Sequence, residues 1–274
     1  MVNPRLRAWP FFVAALGLLA GFIAVYIFFV RTYAGQVVDE RAFNGAYSQH
    51  DAVATFSEHF LDVVPLIAFG AGIVLTLAIG IVTRRWRQLV AGLVVAGVAC
   101  VLAELSKYVF LSRPETGATD PFGNSFPSGH TTVAAAAAFA VFLVTTPRWR
   151  PVAALAGGAF AVLTGILALV SQWHRPSDVV AGLTLVAICG CLGTGVLALL
   201  GLPAARQASG SLGWLWWISA ISAVVSLVAF VLIYASVADH GRHLEIAYVG
   251  GVSAVLAVGA GFTAAGTRLF RTVA

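Results

Sequence analysis

Charge is what this chain has least of. Only 10% of its 274 residues are Asp, Glu, Lys or Arg, against 60% hydrophobic ones, and its mean hydropathy is +0.93. Soluble globular domains carry roughly 25% charged residues, so this scarcity excludes a soluble protein and leaves an integral membrane one. The apolar runs are continuous and do not alternate with polar residues, which excludes a transmembrane β-barrel. Cysteine is also scarce: Cys100, Cys189 and Cys191 are the three present, all within apolar stretches. They provide neither a disulfide framework nor thiolate metal-ligand spacing, and they read as small apolar packing residues. Sequence repeats and low-complexity tails are lacking.

A net charge of +5 raises the question of nucleic acid. The basic residues, however, form short clusters at the ends of apolar runs, with no continuous patch and no interleaved aromatics, so no nucleic-acid partner is expected. Orientation in the membrane and contact with anionic headgroups account for them.

What the chain has in abundance is long apolar runs. About 20 apolar residues cross the hydrocarbon core, and stretches at 9–30, 60–82, 89–111, 130–146, 152–172, 179–201, 213–236 and 247–266 qualify. The expected fold is all-α, a polytopic bundle of about eight transmembrane spans forming one integral-membrane domain over residues 1–274. The first run follows a basic start, as a signal peptide does. It is longer than a typical signal core, and RTYAGQ after it is a poor cleavage site, so it reads as a retained anchor.

With the N-terminus in the cytoplasm, Arg5, Arg7, Arg84, Arg85, Arg87, Arg148, Arg150, Arg206, Arg268 and Arg271 all lie inside, ten of the sixteen Lys and Arg residues. No Asp or Glu falls in those inner segments. Asp39, Glu40, Asp51, Glu58, Asp120, Asp178, Asp239 and Glu245 collect on the outer side, and the six histidines (50, 59, 130, 174, 240 and 243) lie in outer loops or at span ends. The polar chemistry is expected to face outward.

Three outer constellations carry it. KYVFLSRP (107–114) places Lys107 and Arg113 at the end of the third span. On its own Lys107 reads as a snorkelling residue or a partner of Glu104. PSGH (127–130) opens the next span. Pro127 suits the first helical position, leaving the N–H groups of Ser128, Gly129 and His130 as free donors at a helix start that binds phosphate. Gly129 permits close approach, and the Ser128 hydroxyl adds a donor. The bland alternative is an ordinary capped span start. SQWHRPSD (171–178) sets His174 four residues before Asp178, with Pro176 starting a helix between them. A carboxylate on one ring nitrogen fixes the tautomer and leaves the other free to attack. An interfacial histidine and a helix cap are the plain alternatives. Against them, all these residues fall on one side although they come from three separate stretches.

Taken together, KYVFLSRP, PSGH and WHRPSD resemble the three signature motifs of the type 2 phosphatidic acid phosphatase superfamily. The resemblance covers roughly residues 107 to 178 and the arrangement of spans around them. The phosphatase core is expected at about 60–201, with additional C-terminal spans at about 213–266. The resemblance implies that His174 is the nucleophile forming a phosphohistidine, that Asp178 orients it and that His130 protonates the leaving group. Ser128 and Gly129 would hold the phosphate, and Lys107 and Arg113 would neutralise its oxygens.

Two departures from the pattern stand out. Five residues and not six separate Lys107 from the Arg-Pro pair, a rotation of about 100° on an α-helix that the long lysine stem tolerates. The arginine usual six residues before the histidine is Ala168 here, following Leu167. Arg175 is the nearest candidate replacement for phosphate binding, with Arg41 and Arg242 as weaker ones. Without a replacement, a less charged phosphate or slow turnover is expected.

Phosphoryl transfer asks mainly for positioning and charge stabilisation, which two cations and a helix start supply, so no metal and no cofactor are expected. The expected function is metal-independent hydrolysis of a lipid mono- or diphosphate, of polyprenyl pyrophosphate, phosphatidic acid or phosphatidylglycerol phosphate type. The partners are that substrate and membrane lipids. The site would face outside on the plasma membrane, in phospholipid or cell-envelope lipid metabolism. A lipid-linked phosphotransferase and a non-catalytic lipid-phosphate binder or transporter are the alternatives. The stretch 35–59 reads as a short amphipathic helix or lid. Phe43, Tyr47, Phe56 and Phe60 read as a lipid access path or interfacial anchors, and 238–247 as a solvated loop near the entrance.

Overall fold

The computed structural model describes residues 6–46, 51–118, 123–205, 210–238 and 243–273, with backbone alone at 51–55, 57, 58 and 64–66. His50, Asp120, Asp239, His240, Arg242, Arg5, Arg206 and Tyr47, and the side chains of Asp51 and Glu58, lie outside the described residues. Helix α1 (Trp9–Val25) runs into a π-helical turn (Tyr26–Val30) and is followed by the short α2 (Tyr33–Gly45) and the long α3 (Asp51–Val82). Helix α4 (Trp86–Leu105) runs into a second π-helical turn (Ser106–Phe110). Then come α5 (Gly129–Val144), α6 (Arg150–Val170), α7 (Pro176–Leu199), α8 (Leu215–Ala235) and α9 (Leu244–Leu269). Among the described residues there is no strand beyond one isolated bridge between Ala204 and Val273.

The chain is a polytopic helical bundle, and its composition makes it an integral membrane protein. Six helices are long and apolar enough to cross a bilayer: α1 with its π turn, α4 with its own, α6, α7, α8 and α9. Two shorter apolar helices, Ile67–Val82 within α3 and the whole of α5, stand where the other two spans were expected. Large apolar side chains such as Leu16, Val90, Ile221 and Val228 point outward, as they must where the solvent is lipid. Prolines set several starts, with Pro176 opening α7 and Pro10 and Pro151 lying in the first turns of α1 and α6.

Helix α7 is the most deeply buried span, and α1, α4, α5 and α9 pack around it. Small residues permit this. A methyl group on Gly182 would stand 2.9 Å from the Ser128 carbonyl oxygen and 3.1 Å from Thr132 Oγ1, so only glycine lets the first turn of α5 rest on α7 here. That contact fixes the start of α5 relative to the start of α7, which are the second and third motifs.

The two ends of the bundle differ in charge. At one end Arg85 Nη1 donates to the Thr145 carbonyl (2.9 Å) and Arg87 Nη1 to that of Leu200 (3.5 Å). The buried Arg150 donates to the carbonyls of Phe270 (3.2 Å), Leu143 (3.4 Å) and Val273. Arg85 and Arg150 thus sit at the C-terminal end of α5, where its dipole favours cations. The three motifs gather at the opposite end.

Candidate active site

Asp178, with no exposed surface, is the hub of this end. It lies in the first turn of α7 because Pro176 starts the helix, and its Oδ2 accepts the Arg175 backbone N–H at 3.0 Å, closing that turn. The same oxygen accepts the Ser125 hydroxyl at 2.6 Å and lies 3.6 Å from His174 Nδ1, while Oδ1 accepts Arg113 Nη2 at 3.2 Å. The capping role and the histidine contact, which the sequence offered as alternatives, coexist. His174 reaches this position through a tight turn. Gln172 adopts the left-handed conformation (φ 54°), and the N–H groups of Trp173 and His174 fold back onto the Ala168 carbonyl at 3.0 and 3.2 Å.

The second motif differs from expectation by one position. Pro127 precedes the helix; Ser128 is the N-cap and Gly129 the first helical residue. One of the donors assigned to phosphate has another duty, since the Ser128 N–H donates to the Asp178 carbonyl (2.9 Å); the Ser128 hydroxyl oxygen accepts the Thr131 N–H (3.3 Å), which leaves its own O–H to donate. The N–H groups of Gly129 and His130 remain as the open donors of the first turn. His130 faces His174 with ring centroids 5.9 Å apart and Trp173 at 5.1 Å.

The cations of the first motif converge on the same place. A methyl group on Gly129 would lie 3.3 Å from Glu104 Oε1 and 3.7 Å from Lys107 Nζ, so the amine stands beside the start of α5 with Glu104, its partner at 4.0 Å, next to it. The lysine lies in the π-helical turn, closed by the Leu111 N–H on the Ser106 carbonyl (2.9 Å), and its rotation therefore departs from the 100° per residue of an α-helix. This turn is the local answer to the shortened spacing. Arg113 is almost fully buried. Its Nη2 is on Asp178, whereas Nε and Nη1 have no hydrogen-bond partner among the described residues. A buried guanidinium with two idle donors is costly unless an acceptor arrives, and a phosphate oxygen is such an acceptor.

The arginine missing from the third motif has no replacement at its position. Ala168 is fully buried and packs with Leu61 and Leu167 beside Phe60 and Trp173, an apolar cluster. Arg175 points elsewhere: Nε donates to Glu40 Oε2 at 2.6 Å, Nη1 to Ser125 Oγ at 3.4 Å, and the cation lies 5.2 Å from the Phe43 ring centroid. Arg41 caps α8, donating to Ser236 Oγ (2.8 Å) and to the carbonyls of Ile233 and Ser236. Arg242, the third candidate, lies outside the described residues. Sequence reasoning thus sent Arg175 and Arg41 to a phosphate, and both are engaged in holding helices together.

It also missed the residues that hold the site. Helix α2 is a helix, as expected for 35–59, but its polar face is buried. Gln36 Nε2 donates to the Pro114 carbonyl (2.9 Å), pinning the strand-like exit of the first motif. Asp39 accepts both the N–H (3.0 Å) and the hydroxyl (2.5 Å) of Ser177, and Glu40 accepts Arg175. Asn124 joins the first motif to the second, donating to the carbonyls of Lys107 and Leu111 while accepting the Phe126 N–H. The spacing of Gln36, Asp39 and Glu40, three and four residues apart, was the available signal, because it puts them on one helical face. Among the described residues no group of three or more His, Cys, Asp and Glu side chains is placed to hold a metal ion.

Burial, with Asp178 adding to it, pushes the Asp39 carboxyl up to about 6, against the opposing pull of Arg113 and the Ser177 hydrogen bonds. The folded state therefore holds this proton more tightly than the unfolded chain, whose carboxyl has the ordinary value of 3.8. The stabilisation from this group is complete at the acid side and is lost as pH rises from about 4 to about 6, on the order of 3 kcal/mol in all. The thermal midpoint of the detergent-solubilised protein is expected to fall between pH 5 and pH 7, and Asp39→Asn is expected to flatten that slope. An unchanged slope in the variant would remove Asp39 as its source.

Residues 89–201 match the family model of the PAP2 superfamily. This stretch holds α4, α5, α6 and α7 and hence all three motifs. No curated protein and no solved structure matches the chain.

Proposed function

We propose that this chain, which carries a PAP2-superfamily domain over residues 89–201 and is thereby of a phosphatase-type family, hydrolyses a lipid mono- or diphosphate through a phosphohistidine on His174. The observation that carries the proposal is Arg113, buried beside Asp178 with Nε and Nη1 unpartnered among the described residues, at the end of the bundle where Lys107 Nζ and the first turn of α5 also lie. Such an arrangement binds a phosphoryl group and stabilises the charge that develops on its oxygens.

In the proposed reaction His174 Nδ1 keeps its proton on Asp178 and Nε2 attacks phosphorus. The bond from phosphorus to the lipid oxygen breaks, and His130 donates its proton to the departing oxygen. Water then attacks the phosphohistidine, His130 takes a proton from it, and inorganic phosphate leaves with His174 regenerated. Lys107, Arg113 and the N–H groups of Gly129 and His130 hold the phosphate oxygens throughout. Arg175, held on Glu40, takes no part in these steps.

A lipid substrate is supported by the surroundings. The phosphate-holding groups sit at the ends of apolar helices, and an apolar cavity of about 430 Å³ lies along the first turn of α7, lined by Pro176, Val180, Phe29 and Phe230 among others. The basic residues at the opposite end of the bundle support a site facing outward across the plasma membrane. Two phosphate-binding cations, with Ala168 where a third is usual, favour substrates with one phosphoryl group over more highly charged ones.

The test is phosphate release from a panel of detergent-solubilised lipid mono- and diphosphates, with chelator present, by the full chain and by His174→Ala. Release by the parent alone is the expected result, and it ranks the substrates. Transfer of the phosphoryl group only when a lipid or sugar hydroxyl is added would replace the hydrolase by a transferase. No reaction by a folded parent with any lipid would overturn the enzymatic reading.

A further inference from the structure

Helix α2 lies outside the stretch that matches the PAP2 superfamily, yet it grips the third motif. Glu40 and Arg175 are both nearly buried and meet at 2.6 Å, with Phe43 of the same helix against the guanidinium. On its other side Arg175 is tied to the catalytic end: its backbone N–H is on Asp178 Oδ2 (3.0 Å), and its Nη1 is on Ser125 Oγ (3.4 Å), which itself donates to Asp178 Oδ2 (2.6 Å). We propose that Glu40 is a positioning residue, whose carboxylate holds the Arg175 guanidinium off Asp178 and so keeps Asp178 available to orient His174. The proposal rests on the reading of His174 as the nucleophile.

The reasoning follows from charge. A buried guanidinium needs a carboxylate, and removing one partner of a buried pair leaves the other uncompensated. Arg175 feels Glu40, then Asp178, then Asp39, as its attracting carboxylates. Asp39 already accepts two hydrogen bonds from Ser177, which leaves Asp178 as the acceptor within reach. With Glu40 neutral, Arg175 turns to Asp178 and competes there with His174 Nδ1, which stands at 3.6 Å with no other acceptor among the described residues. The imidazole loses its orientation although every residue of the three motifs is still present.

This makes the effect reversible by a second substitution, which a purely architectural role for Glu40 would not be. In the full chain, Glu40→Gln is expected to lower kcat by about tenfold or more with KM changed by less than about threefold, because substrate contacts are untouched. Removing the competing charge as well, in Glu40→Gln/Arg175→Gln, is expected to recover kcat to within about threefold of the parent. A double variant no better than Glu40→Gln would overturn the proposal.

A readout independent of turnover separates this from the phosphatase reading. In protein labelled with ¹⁵N-histidine, the Nδ1–H resonance of His174, assigned by its absence in His174→Ala, is expected to move in Glu40→Gln and return in the double variant. A parent that releases no phosphate overturns the enzymatic reading, while a His174 resonance indifferent to Glu40→Gln overturns this one. Should Glu40→Gln not fold, Glu40→Asp, which keeps the charge, and the double variant, which has none, are both expected to show the parental resonance. A double variant lacking it counts against the proposal.

Discussion

Asp178→Asn is expected to lower kcat about 10³- to 10⁴-fold while leaving the protein able to bind phosphate. The carboxamide has the shape of the carboxylate but brings a donor into a site where almost every neighbour also donates. Arg113 Nη2, the Arg175 N–H and the Ser125 hydroxyl all point at the Asp178 oxygens, with His174 Nδ1 behind them. The amide oxygen satisfies the N–H of Arg175 or the guanidinium of Arg113, and the NH₂ is then turned on His174. An imidazole that accepts on Nδ1 carries its proton on Nε2, the nitrogen required to attack, so the variant holds the wrong tautomer. Loss of that size follows when an orienting aspartate in a serine-protease triad is made asparagine, which is a different protein with the same proton logic. A second effect accompanies it: the buried Arg113 loses its charged partner, a change that typically costs about 3–5 kcal/mol. Activity assays and thermal midpoints on the same preparation check both, and a variant within tenfold of the parent in kcat would remove Asp178 from the reaction.

Arg113→Met should cost both activity and stability. The side chain is nearly the same length and buries well, so the apolar packing survives. Asp178 retains the Ser125 hydroxyl and the Arg175 N–H, and the two idle donors of Arg113 disappear with their desolvation cost. Asp178 is nevertheless left as a buried carboxylate without its ion-pair partner, and the folded protein is expected to lose about 3–5 kcal/mol. Catalysis loses a cation that meets the phosphoryl oxygens, and kcat/KM is expected to fall about 10²- to 10³-fold, as when a single charge-stabilising donor is removed elsewhere. Arg113→Lys should recover little, because a point charge replaces a fork. A variant that keeps the parental kcat/KM per folded molecule would make Arg113 a structural residue only.

Much of this was legible in the sequence, for physical reasons. A bilayer demands long apolar helices, so α4, α6, α7, α8 and α9 could be located to within a few residues from hydropathy alone. The pairing of His174 with Asp178 follows from the four-residue spacing across a proline-initiated helix, and it appears at 3.6 Å. What hydropathy could not show was which polar residues are buried. Asp39 and Glu40 were expected on the outer side, in a stretch that reads as a short amphipathic helix or lid, because an acidic residue in a short polar stretch usually meets water. They are buried since α7 offers Arg175 and Ser177 as partners, a tertiary fact. Arg175 was misassigned for the same reason: its neighbour in sequence is His174, but its neighbour in space is Glu40. Lys107 shows the reverse case. Its spacing to Arg113 departs from the expected pattern, and a π-helical turn, which spacing rules for α-helices do not foresee, brings its amine to Gly129.

The central claim is that His174 becomes covalently phosphorylated, and trapping that adduct tests it most directly. The full chain is mixed with a lipid phosphate labelled on phosphorus, quenched within the first turnovers in alkali, and mapped by mass spectrometry. The account expects a base-stable, acid-labile phosphoryl group on His174, absent from His174→Ala, appearing before free phosphate. Phosphate release that persists in His174→Ala, or an adduct on another residue, would contradict it.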